Sequence, residues 1–395
     1  MANKHIVIGV TAGIAAYKVA SLISYLSKVG YEVQVIMTQK ACAFITPLTL
    51  QTLSKRKVYV DMFASNESYD VKHIEIAKWA DLFVVAPASA NTIAKLANGL
   101  ADDMLSTSFL ATNCPKLIVP SMNTNMLENR ITQDNINKLR HYGIKVMEAD
   151  SGLLACGDIG KGKFPLVEKI VDEIDQLLVT KKDLMGKKVL ISAGPSQESL
   201  DPVRYLTNHS SGKMGYALAK EAYNRGADVI LVSGPTHLRQ PYGINFCSVT
   251  SASAMASELL SYYPDADYTI MAAAIADYTP KNKAQNKIKK KEMDYALMLT
   301  RTTDVLATMG KLKKHGQILV GFAMETENLI HNAKSKLISK NCDYLIANSL
   351  CEKGSGFKAD TNHAYLITKD KELDFGLLTK KELAKKIIDQ IIKGE

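Results

Sequence analysis

The amino-acid sequence predicts two doubly wound, Rossmann-like α/β domains, each a mostly parallel sheet with helices on both faces. Three observations carry that reading. The chain has 395 residues, too many for one ordinary hydrophobic core. Each half opens on an apolar run that ends in a small-residue turn: Lys4–Val10 (KHIVIGV) before TAG, and Lys187–Ala193 (KKVLISA) before GPS. Further apolar runs then alternate with helical patterns, as strands covered on both faces by helices do.

In the first half the pattern predicts a helix over Ile14–Val29 and strands at Glu32–Met37, Leu82–Ala86, Leu117–Val119 and Lys145–Met147. In the second it predicts a helix over Met214–Arg225. Strands follow at Asp228–Val232, Tyr268–Ala272, Ile318–Phe322, Tyr344–Ala347 and Ala364–Ile367. An amphipathic helix, Lys380–Lys393, closes the chain. The polar stretch Thr180–Gly186 (TKKDLMG) is the expected boundary, so the domains run 1–180 and 187–395. Ligands are expected at the carboxyl ends of the parallel strands.

Composition narrows the function classes. The chain is 47% apolar and 23% charged, which is globular, and no apolar run is long enough to span a membrane. The N-terminus, MANKHIVIGV, enters a strand directly, so a cytoplasmic setting is expected. Six scattered cysteines never form CxxC, and neither a zinc site nor a disulfide framework follows. A net charge of +9 suits small anionic substrates such as phosphates. The single tryptophan and the lack of an aromatic-interleaved basic stripe weigh against nucleic acid.

Neither opening turn is the G-x-G-x-x-G fingerprint of dinucleotide binding. A tight turn at a helix N-terminus still suits one phosphate, so a mononucleotide such as FMN fits better than NAD. PASANTIAKLANG (Pro87–Gly99) follows the strand LFVVA and puts Ser89, Asn91 and Thr92 at a strand's carboxyl end. Helix capping explains any one of them; three together favour a ligand. His73, in YDVKHIEIAKWAD, is by default a solvated helix-end residue, and Asn123, in PSMNTNM, a turn former. Gly152–Gly162 (GLLACGDIGKG) carries Cys156 among four glycines. That glycine content is expected to exclude regular helix or strand and to make a mobile flap with one thiol, inert by spacing alone.

Taken together, TAGIAAYK, KHIEIAKWAD, PASANTIAK, PSMNTNM and GLLACGDIGKG resemble the flavin-dependent cysteine decarboxylases of coenzyme A biosynthesis, over essentially residues 1–180. The resemblance implies FMN near Gly13, Ile14, Thr38, Ser89, Asn91, Thr92, Ser106 and Thr107. It implies 4′-phosphopantothenoylcysteine as substrate, its thiol oxidised before carbon dioxide leaves and the electrons then returned to give 4′-phosphopantetheine. By the family pattern His73 is the base, Asn123 grips the substrate carboxylate and Cys156 donates the final proton. The chain departs from that pattern at Leu127, where an aromatic is usual, and at Lys163, where arginine is frequent.

In the second half, NHSSGKMG resembles an anion-binding turn in which Lys213 adds charge; a plain capped helix start explains it equally well. AAAIADY (Ala272–Tyr278) is expected to run as a strand into Asp277. The basic loop Lys281–Lys291 (KNKAQNKIKKK) is either solvated surface or a triphosphate clamp. With GFAMET and AKSKLISKNCDYLIAN, these segments resemble the phosphopantothenate–cysteine ligase domain over roughly residues 187–395. The resemblance implies CTP-driven activation of 4′-phosphopantothenate with Mg2+, then displacement of CMP by the amine of cysteine. Asn208 and Lys287 would serve activation. Met271, Ala272, Ala273, Asp277, Lys287, Thr303, Asp304, Val305, Leu306, Phe322, Lys336 and Lys340 would contact CTP. A TTD turn (Thr302–Asp304) stands where NPD is usual. Metal ligands stay unassigned, and a homo-oligomer is implied.

The leading expectation is therefore a bifunctional enzyme of consecutive steps. An NAD-dependent oxidoreductase lacks its fingerprint here, and a non-catalytic regulatory flavoprotein would not need both His73 and Cys156.

Overall fold

The main sheet of the first unit, Met1–Thr180, is parallel throughout: β1 (His5–Val10), β2 (Glu32–Met37), β3 (Leu82–Ala88), β4 (Lys116–Pro120) and β5 (Lys145–Val146), in sheet order β2-β1-β3-β4-β5. The structure, a computed structural model, describes residues 4–63, 71–155, 157–289, 296–325, 328–349 and 359–393. β3 is buried along its whole length, so its LFVVAPA run faces protein on both sides. One face packs under helices Ala90–Asn98, Met104–Ala111 and Arg130–His141, around Phe83, Val85 and Ile118. Helices Ala16–Lys28 and Val167–Leu178 pack together with β3 on the other face. Because β1 lies between β2 and β3, the crossovers diverge there and leave a crevice at the carboxyl edge.

Two expectations in this unit need correction. The first helix starts at Ala16, not Ile14, because Gly13–Ala16 is a turn closed by the Ala16 N–H on the Gly13 carbonyl at 3.0 Å. The glycine-rich segment is also regular where described: β6 (Asp150–Leu153) and β7 (Ile159–Lys163) form an antiparallel hairpin. Glycine content does not exclude strand here, since Gly162 at φ 141° takes an extended backbone that other residues avoid. Cys156 lies outside the described residues.

Among the described residues, the second unit, Lys181–Glu395, has twelve strands. They are β8 (Lys188–Ala193), β9 (Gln197–Ser199), β10 (Tyr205–Thr207), β11 (Asp228–Ser233), β12 (Asn245–Ser248) and β13 (Tyr268–Met271). Then follow β14 (Tyr278–Pro280), β15 (Leu299–Arg301), β16 (Ile318–Glu325), β17 (Tyr344–Ser349), β18 (Thr361–Ile367) and β19 (Glu372–Thr379). The main sheet is ordered β12-β11-β8-β13-β16-β17-β18-β19, with β18 and β19 antiparallel, while β9–β10 and β14–β15 form small separate pairs. Helices Lys213–Asn224 and Lys380–Lys393 cover one face around Ile191 and Ile270. Ala252–Tyr262, Val305–Leu312 and Leu329–Ser339 cover the other around Leu190 and Leu319. Among the described residues no helix is long and apolar enough to cross a membrane.

The expected strand into Asp277 stops at Met271. Beyond it the Ala273 N–H donates to Ser192 Oγ at 3.1 Å and Ala274 bridges to Pro195, so the segment bends over the carboxyl end of β8. That bend carries residues 272–277 across the second unit's own switch point, between β8 and β13.

Candidate active sites

In the first unit, hydrogen bonds tie the strand ends together. Thr11, buried just past β1, donates through Oγ1 to the Pro87 carbonyl at 2.6 Å and accepts the Ser89 N–H at 3.0 Å. The Thr38 N–H donates to the Val10 carbonyl at 3.0 Å, and the Ser121 N–H to the Ala88 carbonyl at 3.1 Å. Gly13, Ile14, Thr38, Ser89, Asn91, Thr92 and Asn123 are thereby brought to one edge. The helix Lys72–Trp79 turns into β3 after two residues, so its first turn, with His73, starts from that same edge. It packs against helix Met104–Ala111, which carries Ser106 and Thr107.

Several of these hydroxyls already have local work. Ser89 caps helix Ala90–Asn98, accepting the Thr92 N–H at 3.3 Å. Ser106 shares a capping box with Asp103, and Thr107 Oγ1 donates to the Ala101 carbonyl at 3.2 Å. Thr38 differs: its Oγ1 is buried with no partner among the described residues, an expensive state unless a ligand supplies one. The helix Ala16–Lys28 begins without a side-chain cap; its Ala16 and Lys18 N–H groups close on the Gly13 and Ala15 carbonyls, and its dipole favours an anion at that end. An unsatisfied hydroxyl and a helix N-terminus at a switch point fit a phosphate-bearing flavin.

Asn123 caps the short helix Thr124–Glu128 and faces the hairpin. Its Oδ1 accepts the Asn125 N–H at 2.9 Å, and its Nδ2 donates to Asp158 Oδ2 at 3.4 Å. The hairpin lies flush against this segment: the Met122 N–H donates to the Gly162 carbonyl at 3.1 Å. A Cβ at Gly162 would sit 2.1 Å from the Met122 carbonyl oxygen, and one at Gly160 2.3 Å from Thr124 Oγ1. These glycines serve close approach to the Asn123 segment. Glu148 anchors β7 further along, accepting from Lys161 at 2.5 Å and Arg140 at 2.6 Å. The Lys161 bond, then Arg140, holds its carboxyl below the usual range against the opposing effect of burial. Leu127 is buried in the core with Ile136, and Lys163 pairs across the hairpin with Asp150.

In the second unit a cleft of about 400 Å³ opens at the β8/β13 switch point. It gathers Asn208, Ala272, Ala273, Asp277, Phe322 and Lys336. Asn208 Nδ2 donates to the Ala274 carbonyl at 3.1 Å, fixing the amide across the bend. The helix Lys213–Asn224 presents its first turn to the cleft. It seats closely on β8 because Gly215 leaves no Cβ, which would lie 2.6 Å from that of Ala193.

Met271, Lys287, Thr303, Asp304, Val305, Leu306 and Lys340 do not line this cleft. Met271 is buried at the end of β13. Asp304 caps helix Val305–Leu312 and is ion-paired with Lys340, one helical turn beyond Lys336. Burial raises the Asp304 carboxyl, but Lys340 and the Ala307 amide outweigh it and leave it below its ordinary value. Lys287 is exposed on a loop anchored next door, where the Ile288 N–H donates to Asp201 at 3.1 Å and Arg204 donates to the Ile288 carbonyl at 2.9 Å. Sequence reasoning missed Lys380, Asn348 and Asn362, which line the cleft from β17, β18 and the last helix. Lys380 reads as the start of a closing amphipathic helix, and no local signal marks it.

Fold and sites together define a two-unit α/β protein with a switch-point site in each unit, one suited to a flavin and one cationic. Residues 1–179 match the family described as Flavoprotein, and residues 184–394 match the DNA/pantothenate metabolism flavoprotein C-terminal domain. The coenzyme A biosynthesis bifunctional protein CoaBC of Bacillus subtilis (strain 168) is 44% identical over 393 residues, covering 98% of this chain and 97% of the relative. Its namesake from Haemophilus influenzae is 43% identical over 391 residues, covering 99% and 98%. A solved C-terminal domain of a CoaBC protein is 41% identical, covers 54% of this chain and 97% of its own, and superposes with a TM-score of 0.46. The chain belongs to the family of bifunctional coenzyme A biosynthesis proteins.

Proposed function

We propose that the second unit joins 4′-phosphopantothenate to cysteine using CTP, and that the first decarboxylates the resulting 4′-phosphopantothenoylcysteine to 4′-phosphopantetheine. The observation that carries this reading is the pairing of two switch-point sites, one with an unsatisfied hydroxyl at Thr38 and one gathering Asn208, Asp277, Phe322 and Lys336.

In the first unit Gly13, Ile14, Thr38, Ser89, Asn91 and Thr92 would hold FMN, with Ser106 and Thr107 beside them. Bound FMN would supply a two-electron acceptor and donor for the substrate thiol. His73 would take a proton from the substrate as general base. The Asn123 amide would hold the substrate carboxylate without pairing its charge, leaving the bonding electrons free to move as carbon dioxide departs. Cys156 would deliver the proton that completes the product.

In the second unit Asn208 and Lys287 would stabilise the activated acyl group, while Asp277, Phe322, Lys336 and the Asp304–Lys340 edge contact the nucleotide. Mg2+ would accompany the triphosphate. Asp277 suits that role, because this ion usually binds through one or two carboxylates plus substrate phosphates and water. A homo-oligomer belongs to the same reading. So does a cytoplasmic setting, supported by the unpaired thiols of Cys42, Cys114, Cys247 and Cys342.

The test is incubation of the full chain with phosphopantothenate, cysteine, Mg2+ and each nucleoside triphosphate in turn, with mass detection. CMP and phosphopantetheine are expected with CTP; a yellow protein that yields neither overturns the reading. Cys156→Ser should still bind FMN and release carbon dioxide but stall before reduced product.

A further inference from the structure

We propose that Lys213 and Lys380 form a phosphate seat at one end of the second unit's cleft. The proposal rests on the ligase reading of that cleft and adds residues it did not include. Lys380 opens helix Lys380–Lys393 and is 7% exposed, an unusual place for a lysine unless it serves an anion. It donates to the neutral carbonyl of Ala359, while Lys213, which opens helix Lys213–Asn224, is paired with Asp360 at 2.6 Å. Both lysines line the cleft together with Lys336, and among the described residues the acidic side chain lining it is Asp277. Burial lowers the Lys380 ammonium from its ordinary value and Lys213 lowers it further, with Asp360 opposing. Lys213 and Lys380 thus stand together at one end of the cleft, and the helix that Lys213 opens starts at Gly212 without a side-chain cap, so its dipole adds positive potential there.

A second observation points to a ligand in the same place. Asn348 lines the cleft, is 7% exposed, and its Oδ1 is buried with no partner among the described residues. A buried acceptor beside a cationic end suits a molecule that carries both phosphate and a hydrogen-bond donor. Two substrates of the proposed ligation have that chemistry: the polyphosphate of a nucleoside triphosphate and the phosphomonoester of the acid substrate.

The experiment uses the full chain as Lys213→Gln, Lys380→Gln and Lys380→Arg. KM is measured separately for CTP and for phosphopantothenate, and decarboxylation of supplied phosphopantothenoylcysteine reports on folding. Losing one charge-assisted contact is expected to raise KM roughly ten- to a hundredfold. Both glutamine variants should affect the same substrate, and Lys380→Arg should recover part of the loss. A rise for CTP places the polyphosphate on the seat; a rise for phosphopantothenate places the phosphomonoester there. Unchanged KM values for both substrates in Lys213→Gln and Lys380→Gln overturn the proposal. If Lys380→Gln loses its thermal transition, Lys213→Gln and Lys380→Arg decide. A wild-type chain with no ligase activity overturns the ligase reading instead. The seat is then tested by calorimetric binding of inorganic pyrophosphate and inorganic phosphate, which must weaken in Lys213→Gln if the seat exists.

Discussion

The Asn123 side-chain amide donates to the Asp158 carboxylate at 3.4 Å while its oxygen accepts the Asn125 N–H at 2.9 Å. The second bond decides which end of the amide meets the hairpin: the oxygen is committed to the helix cap, so the donor points outward. That donor is what a substrate carboxylate would need. Asn123→Asp removes it and sets two carboxylates against each other. Decarboxylation of supplied substrate is expected to lose at least about a hundredfold in kcat/KM, with flavin absorbance retained. An unchanged kcat/KM would remove Asn123 from carboxylate binding.

The hairpin's seat is tested at Gly162. A methyl there would collide with the Met122 carbonyl oxygen, and φ 141° is strained for any residue with a Cβ. Gly162→Ala is expected to destabilise the first unit by about 1–3 kcal/mol in chemical denaturation. Decarboxylation should fall with it, because the Asn123 segment and β7 can no longer lie flush. Full stability and activity would mean that the hairpin's contact with this segment carries no weight.

What the sequence made legible follows from where the signal is local. β3 and β8 are continuous apolar runs bounded by polar turns, and both were readable because burial on two faces leaves little polar alternation. β19 was not readable: in ELDFGLLT Phe375 is buried while its flanks are exposed, so it forms through pairing with β18. The hairpin β6–β7 hid for a different reason, since its glycines answer to Met122 and Thr124, some forty residues away in the chain. In the sites, Ser89 and Asn208 stood in recognisable turns. Thr11 and Lys380 gained their roles from partners distant in sequence, Pro87 and the Lys213–Asp360 pair.

Thr38 offers a test that separates flavin binding from stability. Its buried hydroxyl has no partner among the described residues, so replacing it with a methyl removes a desolvation penalty. Thr38→Val is expected to leave the flavin-free protein as stable as wild type or about 1 kcal/mol more so by thermal or urea unfolding. The same change should weaken FMN by roughly fivefold or more, read from quenching of flavin fluorescence. Weakened apoprotein with unaltered FMN affinity would show that the hydroxyl serves the fold and not the flavin.

Asp201 links stability to pH in the second unit. Its buried carboxylate takes the Arg204 guanidinium at 2.6 Å and the N–H groups of Val203, Arg204 and Ile288, so it anchors the loop that carries Lys287. The Arg204 bond foremost, with the Ile288, Val203 and Arg204 amides and against burial, holds its carboxyl far below the usual range. A carboxyl depressed on folding stabilises the native state above its unfolded pKa of about 3.9, and that contribution fades as pH falls through and below this value. Asp201→Asn should therefore show its largest loss in Tm at neutral pH. The gap from wild type should narrow below about pH 4, where the unfolded chain's carboxyl takes up a proton while the native one stays ionised. Because Lys287 rides on the anchored loop, ligation should fall in the variant while decarboxylation of supplied substrate persists. A gap in Tm that stays constant from pH 7 to pH 3 would mean that the anchoring is not electrostatic.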